Sequence, residues 1–213
     1  MRKLISLSVL LLSSVLLTSC YSTSAVSGGK FSEKDREKRL KIAVVDFENK
    51  SDNSAYDGLM KGMTGTMVDE LRKTRSFRII ERQRLDSVLT ELKMGMSGLV
   101  NPDTAKQVGK QLGVDAILFG DLSSVKYSKN KQTIFVMWSE GQRTDVTVDA
   151  RLVDTETGEV IASAKAPAFV KERRWVAFGF ARLGRVSDEA SVIQTGVELA
   201  CRQLAIDLAS EMR

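Results

Sequence analysis

The stretch Ile42-Ala43-Val44-Val45-Asp46-Phe47 is an apolar run interrupted by a single aspartate. Such a run is typical of a strand that is covered on both faces, as in parallel or mixed sheets. Apolar residues then recur at four-residue spacing, which predicts a helix from about Tyr56 to Arg75. The members of this stripe are Leu59, Met63, Met67 and Leu71. A sheet with helices packed on both faces is therefore our first expectation.

The chain continues with alternating strand and helix signals. Residues 77–80 are typical of a short strand, and residues 85–92 of a second helix. The sequence Asn101-Pro102-Asp103 marks the start of a third helix, which Gly113 is well placed to end. Residues 116–119 then predict another buried strand.

From Asp121 onward the apolar period changes to two. In residues 146–152 apolar and polar residues alternate, which predicts a half-buried antiparallel strand, and residues 154–158 form a turn into its partner over 159–169. Apolar residues at helical spacing define a long C-terminal helix that begins near 187–188. The predicted fold is α/β (α+β), with a mixed sheet, flanking helices, antiparallel hairpin extensions in the C-terminal half and a long C-terminal helix.

The N-terminus carries the features of an export signal. Arg2 and Lys3 precede an apolar run over residues 4–17, which as a helix covers about 21 Å. This is short of the ~30 Å hydrocarbon core, so the run is a signal segment rather than a membrane span. The string Leu17-Thr18-Ser19-Cys20 resembles a bacterial lipobox, whose cysteine becomes an acylated N-terminus that carries fatty acids such as palmitate. The alternative is a plain secretory signal with an incidental cysteine.

The lipobox divides the chain into three parts. Residues 1–19 are the expected signal peptide, and residues 20–40 are the lipidated Cys20 with a flexible tether rich in serine, glycine and charge. Residues 41–213 form one domain. Because two or more acyl chains anchor a protein stably, the domain would remain attached to a membrane.

Composition excludes several classes of function. The chain has no histidine, which removes the commonest general base and the commonest zinc ligand. Removal of Arg2 and Lys3 with the signal segment lowers the number of basic residues from 32 to 30, against 27 acidic residues. This charge is close to balance, so no nucleic acid is expected as a partner. Only two cysteines are present, and Cys201 is expected on the apolar face of a helix, either buried and inert or as a reactive thiol.

Motifs for cofactors and metals are missing as well. Neither a P-loop nor a dinucleotide-binding spacing follows the first strand. Glycines at 58, 62 and 65 fall within the helical pattern, where we expect them to allow close helix packing. The carboxylates of Asp46, Asp52 and Asp57 could hold a cation or serve as caps and turn residues. We expect no enzymatic activity, no cofactor and no metal.

Several blocks of the sequence together point to one family. They span residues 41–47, 71–73, 77–83, 112–120, 151–161 and 195–197. In this order, behind a lipobox, they resemble the curli production assembly and transport family, which comprises CsgG and its holdfast-anchoring relatives. The resemblance covers nearly the whole mature chain.

The resemblance implies an outer-membrane lipoprotein whose α/β domain faces the periplasm and assembles into a homo-oligomeric ring. Tyr21 after Cys20 agrees with the outer membrane, by similarity to lipoproteins sorted in enteric bacteria. Implied partners are the membrane, secreted fibre subunits or other envelope proteins, and the implied role is secretion, assembly or anchoring of an extracellular polymer. The alternative is a periplasmic regulator of peptidoglycan synthesis that resembles the LpoB activators.

In the family's secretion channel, two hairpins per subunit join into a transmembrane barrel. The corresponding hairpins here span about 121–153 and 161–186. A lipid-facing row that starts with Val125 and Tyr127 would continue as Lys129 and Lys131, at about 2 to 4 kcal/mol for each cation at midplane depth.

The second hairpin carries the candidate contact residues. They are Lys171, Arg173, Arg174, Trp175, Phe178 and Phe180. Because aromatic rings prefer headgroup depth and cations face phosphates, this composition favours a hairpin that lies at a membrane interface. An anionic partner or an ordinary solvated hairpin tip would fit the same charges.

Overall fold

The computed structural model describes residues 22–23, 36–93 and 102–212. The expected signal segment 1–19, the lipidation candidate Cys20 and the expected helix cap Asn101 lie outside these ranges.

The described strands form one mixed sheet. They are β1 (Ser22–Thr23), β2 (Leu40–Val44), β3 (Glu48–Asn49), β4 (Phe77–Ile79), β5 (Ala116–Ile134), β6 (Met137–Asp154), β7 (Val160–Ala177) and β8 (Ala181–Arg185). Their order is β1-β7-β6-β5-β2-β4, with β3 beside β5 and β8 beside β7. Strand β2 pairs in parallel with β4 and β5, whereas β5, β6, β7 and β8 pair antiparallel. The predicted mixed sheet is confirmed.

Within the described residues, four α-helices pack against this sheet. They are α1 (Met60–Thr74), α2 (Arg82–Glu91), α3 (Pro102–Leu112) and α4 (Glu189–Glu211), and two short 3₁₀ helices cover Arg36–Lys38 and Ser54–Leu59. Gly113 ends α3 with a φ of +61°. The carboxylate of Asp188 begins α4 by accepting a hydrogen bond from the Ser191 N–H at 2.9 Å. The predicted helices and the long C-terminal helix are therefore confirmed, although the chain from Ser54 to Leu59 is a 3₁₀ helix and not the first α-helical turns.

The core lies on both sides of the parallel strands. Ile42 and Val44 belong to a cluster with α1 and α4, whereas Ala43 and Val45 belong to a cluster with α2 and α3. Since side chains alternate along a strand, a run that is apolar at every position buries both faces. This is why the sequence 42–47 is apolar almost throughout.

Strand β5 is longer than the sequence pattern indicates. The buried strand predicted at 116–119 and the hairpin predicted from 121 are one continuous strand of 19 residues, with a register shift between Leu122 and Ser124. Its first part is covered by helices on both faces, and its last part extends beyond them, so the apolar period changes without a break in the strand. The antiparallel hairpins are extensions of the central sheet.

One prediction about α1 and its 3₁₀ lead-in is wrong. A Cβ added at Gly58, Gly62 or Gly65 would meet nothing within 4 Å, so these exposed glycines do not serve close packing within the described chain. None of the described helices is long and apolar enough to cross a bilayer.

Candidate functional site

The two hairpins β5–β6 and β7–β8 lie side by side and project beyond helix α4 as a four-stranded sheet. We call residues 128–141 and 171–186 the tip. From Lys171 to Ala177 this sheet extends by about 20 Å. Seven cations and two acids lie within the tip, and large apolar side chains occupy its end.

The end of the tip is an exposed apolar cluster. Phe135, Phe178 and Phe180 expose 101%, 66% and 81% of their surface, and Val136, Met137 and Leu183 are exposed beside them. The rings of Phe178 and Phe180 stack with 6.4 Å between their centroids. Because soluble proteins rarely expose contiguous apolar groups of this size, the cluster marks a surface that contacts an apolar environment.

Both turns adopt backbone conformations that glycine or asparagine would adopt at lower cost. Phe135 has a φ of +56° and Phe178 a φ of +53°. The N–H of Phe178 donates to the carbonyl of Val136 at 3.0 Å, which joins the two turns. Bulky residues in the left-handed region cost free energy and are found mainly where function requires them. Phenylalanine thus occupies turn positions at the end of the sheet that glycine or asparagine would adopt at lower cost.

Nearer the core, helices α1 and α4 cover one face of the sheet, which we call the helix face. Within the tip, a polar cluster on this face holds the strands together. Glu140 accepts hydrogen bonds from Lys129 at 2.8 Å and from Arg174 at 2.6 Å. These two partners, Lys129 first, hold the pKa of Glu140 below its usual range. Three strands are therefore linked through one carboxylate.

At the base of the tip, a second polar group connects the sheet to the start of α4. Gln142 donates to Glu172 at 2.8 Å and to the carbonyl of Ser187 at 2.9 Å. The Ser187 N–H donates to Glu172 at 2.6 Å. The tip is thus fixed to the body rather than attached through a loose hinge.

The row Val125, Tyr127, Lys129 and Lys131 does not face outward as expected for a spanning hairpin. Val125 packs against the core, and the Tyr127 hydroxyl donates to Gln142 at 3.0 Å. Since alternate residues share a face, the row lies on the helix face.

The opposite face of the tip carries the aromatic and basic residues of β7. The Arg173 guanidinium lies 5.7 Å from the ring centroid of Trp175, and Trp175 stands opposite Leu183 in the pairing with β8. Lys171 is exposed two residues before Arg173. Apolar residues near the turn are therefore followed by cations towards the body.

The structure brings the six predicted contact residues into the tip but gives them different positions. Lys171, Arg173 and Trp175 lie on the face opposite α4, Arg174 lies on the helix face against Glu140, and Phe178 and Phe180 belong to the turn. Sequence reasoning missed the first turn, Phe135-Val136, and the exposed Met137 and Leu183. The apolar run Ile134-Phe135-Val136-Met137-Trp138, which contains no turn-forming residue, was the available signal.

Other predicted positions have structural roles. Asp46 pairs with Arg82 through both carboxylate oxygens, and hydrogen bonding to Arg82 lowers the pKa of Asp46. Asp57 accepts a hydrogen bond from Asn49. Cys201 is fully buried in α4, and burial raises the pKa of its thiol to about 12. Across the described residues, no group of three or more His, Cys, Asp or Glu is arranged to hold a metal ion.

Several solved structures are similar at low sequence identity. The C-terminal domain of LpoB from Salmonella enterica aligns at 16% identity and a TM-score of 0.45, over 74% of this chain and 91% of that one. Lipoprotein GNA1162 from Neisseria meningitidis aligns at 18% identity and a TM-score of 0.45, over 73% of this chain and 92% of that one. A PelC dodecamer from Paraburkholderia phytofirmans aligns at 15% identity and a TM-score of 0.41, over 83% of this chain and 95% of that one. These similarities are too distant to carry a functional assignment.

No curated protein matches the sequence. The profile of the family described as curli production assembly/transport component CsgG matches residues 29–213. This range contains the four described α-helices and every described strand except β1. The chain belongs to the CsgG family.

Proposed function

We propose that this protein is a non-enzymatic outer-membrane lipoprotein that assists secretion, assembly or anchoring of an extracellular polymer, and that its tip docks into the leaflet that holds the lipid anchor. The family, a curli production assembly and transport component, supports the role in assembly or transport. The exposed apolar cluster at the end of the tip is the observation that carries the membrane contact.

The distribution of side chains along the tip fits a membrane interface. Phe135, Phe178 and Phe180 would lie at the acyl boundary and Trp175 at headgroup depth. Lys171 and Arg173 follow towards the body, where they would face lipid phosphates. Interfacial segments bury their apolar groups by about 5 to 10 Å, which is about the height of the apolar end.

The direction of β1 supports the same orientation. Ser22 pairs with Lys171 and Thr23 with Val170, antiparallel to β7, so the N-terminal end of β1 faces the end of the sheet that carries the tip. Only Tyr21 separates Ser22 from Cys20, and two residues span at most about 7 Å. An acylated Cys20 would therefore attach its lipids close to the level of Lys171 and Arg173. One membrane plane accommodates the anchor, the cations and the aromatic tip.

Vesicle binding tests this contact. The Cys20→Ser variant, which lacks the anchor, is expected to sediment with vesicles that contain phosphatidylglycerol. In the variant Phe135→Asp/Phe180→Asp, vesicle binding should fall about tenfold or more, since each change buries a charge. In the variant Lys171→Glu/Arg173→Glu, vesicle binding should become weaker and less dependent on salt. Arg174 is left unchanged because Glu140 needs it.

The matched control reverses two exposed helical cations far from the tip, in Lys61→Glu/Lys110→Glu. This variant is expected to bind vesicles like its parent, apart from a small loss caused by its lower net positive charge. Equal vesicle binding by the parent and by both tip variants would contradict the membrane contact.

We further propose a ring-forming homo-oligomer, as the family resemblance implies. Light scattering of the lipidated protein in mild detergent should give a mass several times that of one chain, and a monomer at high concentration would contradict this. A pull-down from solubilised envelope tests the role itself. Recovery of secreted fibre subunits agrees with the proposal, whereas recovery of peptidoglycan synthases alone would replace it with the regulatory role.

A further inference from the structure

A groove lies at the opposite edge of the sheet from the β7–β8 hairpin. Strand β4 is the last strand in the order on this side, and the groove beyond it has a volume of about 820 Å³. Its walls are one stripe of α1, which includes Val68 and Arg72, and the first turn of α2 with Leu85. A strand edge thus forms the floor between two helices.

The groove is strongly basic. Five of its lining residues are cations, against Glu81 as the one acid among them; the cations are Arg39, Lys41, Arg72, Arg78 and Arg82. Arg82 is neutralised by Asp46. Arg72 and Arg78 are exposed, and neither has a carboxylate partner within the described parts of the chain. Their uncompensated charge indicates an anionic occupant.

Arg72 and Arg78 lie on opposite sides of the edge. Phe77 and Ile79 pack into the cluster with α1, and Ile80 packs beside α2. Because side chains alternate along a strand, Arg78 is on the α2 side, whereas Arg72 projects from α1. An extended chain that pairs with this edge has two rows of side chains, one on each face. One row would contact Arg72 and the other row would contact Arg78.

Among the described strands, β4 pairs only with β2, so its other edge is open towards the groove. The N–H of Ile80 donates to the carbonyl of Ile42 at 3.1 Å, which directs this group towards β2. Backbone groups of successive residues point to alternate sides, so the N–H and C=O of Ile79 point towards the groove. An edge strand with unpaired groups is a template for pairing with another extended chain.

We propose that this groove binds an extended acidic segment of another polypeptide, which adds as a strand to the free edge of β4 and places carboxylates against Arg72 and Arg78. The apolar surface of Val68, Ile79 and Ile80, all half-buried, accepts the intervening apolar side chains. Main-chain hydrogen bonds provide affinity, and the two arginines select acidic residues.

A second copy of this chain is a poor occupant for the edge. The other edge, residues 160–169 of β7, contains Pro167, and the Ser163 N–H at this edge already donates to the Glu211 carboxylate at 2.9 Å. Proline lacks the N–H that strand pairing needs, and the N–H of Ser163 is no longer available to another strand.

A membrane is also a poor occupant. The groove lies near the start of β5 and the tip at its end, and 19 residues of strand separate them by about 60 Å. The groove is therefore available while the tip contacts a membrane, and its proposed role does not depend on that contact.

Peptide binding to the full-length protein in mild detergent tests this assignment. The probe is a fluorescein-labelled peptide of about ten residues in which pairs of Glu alternate with pairs of Val. Since successive residues of a strand lie on opposite rows, both rows of this peptide carry carboxylates and apolar side chains. Fluorescence anisotropy at about 0.15 M salt should show saturable binding, with attraction between distant charges largely screened. Amide hydrogen exchange at Ile79 should slow on binding, which reports the new strand pairing.

The variant Arg72→Glu/Arg78→Glu should weaken peptide binding by about tenfold or more. The matched control Arg84→Glu/Lys110→Glu reverses two exposed cations outside the groove and should change binding by no more than about twofold. The same peptide with methylated backbone nitrogens keeps its charge but cannot donate to the edge, so it should not bind.

Three results would overturn the proposal. They are equal affinity of the methylated peptide, equal losses in the groove and control variants, and no saturable binding of the unmodified peptide. Polygalacturonate as a competitor separates an anionic polysaccharide from a polypeptide. If it binds with higher affinity than the peptide and depends on the same two arginines, the occupant is a polysaccharide and the strand-addition proposal fails.

Discussion

Arg174 reaches across the β6–β7 pairing to Glu140, with 2.6 Å between its Nη2 and the Oε2 of the carboxylate. Lys129 approaches the other oxygen of Glu140 from β5 at 2.8 Å. One carboxylate thus joins three of the four strands of the tip. Although Val176 is buried, no described residue of the tip belongs to either core cluster, so polar links and strand pairing hold this part of the sheet together.

Substitution of this carboxylate should loosen the tip. In Glu140→Gln, the two cations lose their shared charged acceptor, and amides of residues 129–140 should exchange with deuterium about three- to tenfold faster, as for loss of a small ion-pair network. Glu159→Gln removes the charge of an exposed carboxylate next to β7 and is the control. Unchanged exchange in the tip of Glu140→Gln would show that the ion pairs do not hold it.

Acidification of the parent protein should have the same effect as Glu140→Gln. The pKa of Glu140 is lower in the folded protein than in the unfolded chain because Lys129 and Arg174 donate to its charged form. The ion pairs therefore stabilise the tip fully above about pH 4.3 and lose this contribution as the pH falls towards the lower folded pKa. Exchange rates, corrected for intrinsic pH dependence, should rise in the parent below this pH but stay level in Glu140→Gln. A parallel rise in both proteins would contradict this assignment.

Helix glycines with different surroundings should respond in opposite ways to alanine. Gly62 and Gly65 have open space at the Cβ position, so Gly62→Ala and Gly65→Ala should each stabilise the protein by about 0.5 to 1 kcal/mol. A Cβ at Gly109 would lie 2.2 Å from Cγ2 of Thr155, whose hydroxyl is fixed by donating to the Val114 carbonyl. Gly109→Ala should therefore destabilise the fold by about 1 to 3 kcal/mol. Urea unfolding measures all three, and a stabilising Gly109→Ala would contradict the packing.

Cys201 should be chemically silent until the protein unfolds. Burial raises the pKa of its thiol to about 12, so almost no thiolate is present at pH 8. In the Cys20→Ser variant, Cys201 is the sole thiol, and iodoacetamide should alkylate it at least about a hundredfold faster in urea than in buffer, since an unfolded thiol has a pKa of about 8.5. Comparable rates in the two solvents would mean that the helix opens readily at this position.

Sequence patterns predicted the body of the fold well because its burial follows simple periods. The apolar run 42–47 reflects a strand covered on both faces, and the stripe from Met63 to Leu71 reflects one buried helix face. The length of β5 was missed because its apolar period changes where helix cover ends. Cys201 was correctly assigned to the apolar face of a helix, and the structure shows that it is buried.

The candidate site was harder to predict. The β7–β8 turn contains Gly179 and could be anticipated, whereas Phe135-Val136 has none of the residues that usually mark a turn. The pairing of Glu140 with Lys129 and Arg174 depends on strand register, which a period of two does not specify. The groove beside β4 depends on which strand lies at the edge, and this follows from topology rather than from local sequence.

The depth of Trp175 in a bilayer reports directly whether the tip inserts. Trp138→Phe leaves Trp175 as the sole tryptophan, and the lipidated variant can be incorporated into vesicles whose acyl chains carry bromine at a shallow or a deep position. We expect strong quenching by shallow bromines and weaker quenching by deep ones, since tryptophan belongs at headgroup depth. Quenching by neither, with the protein attached to the vesicles through its lipid anchor, would contradict insertion of the tip.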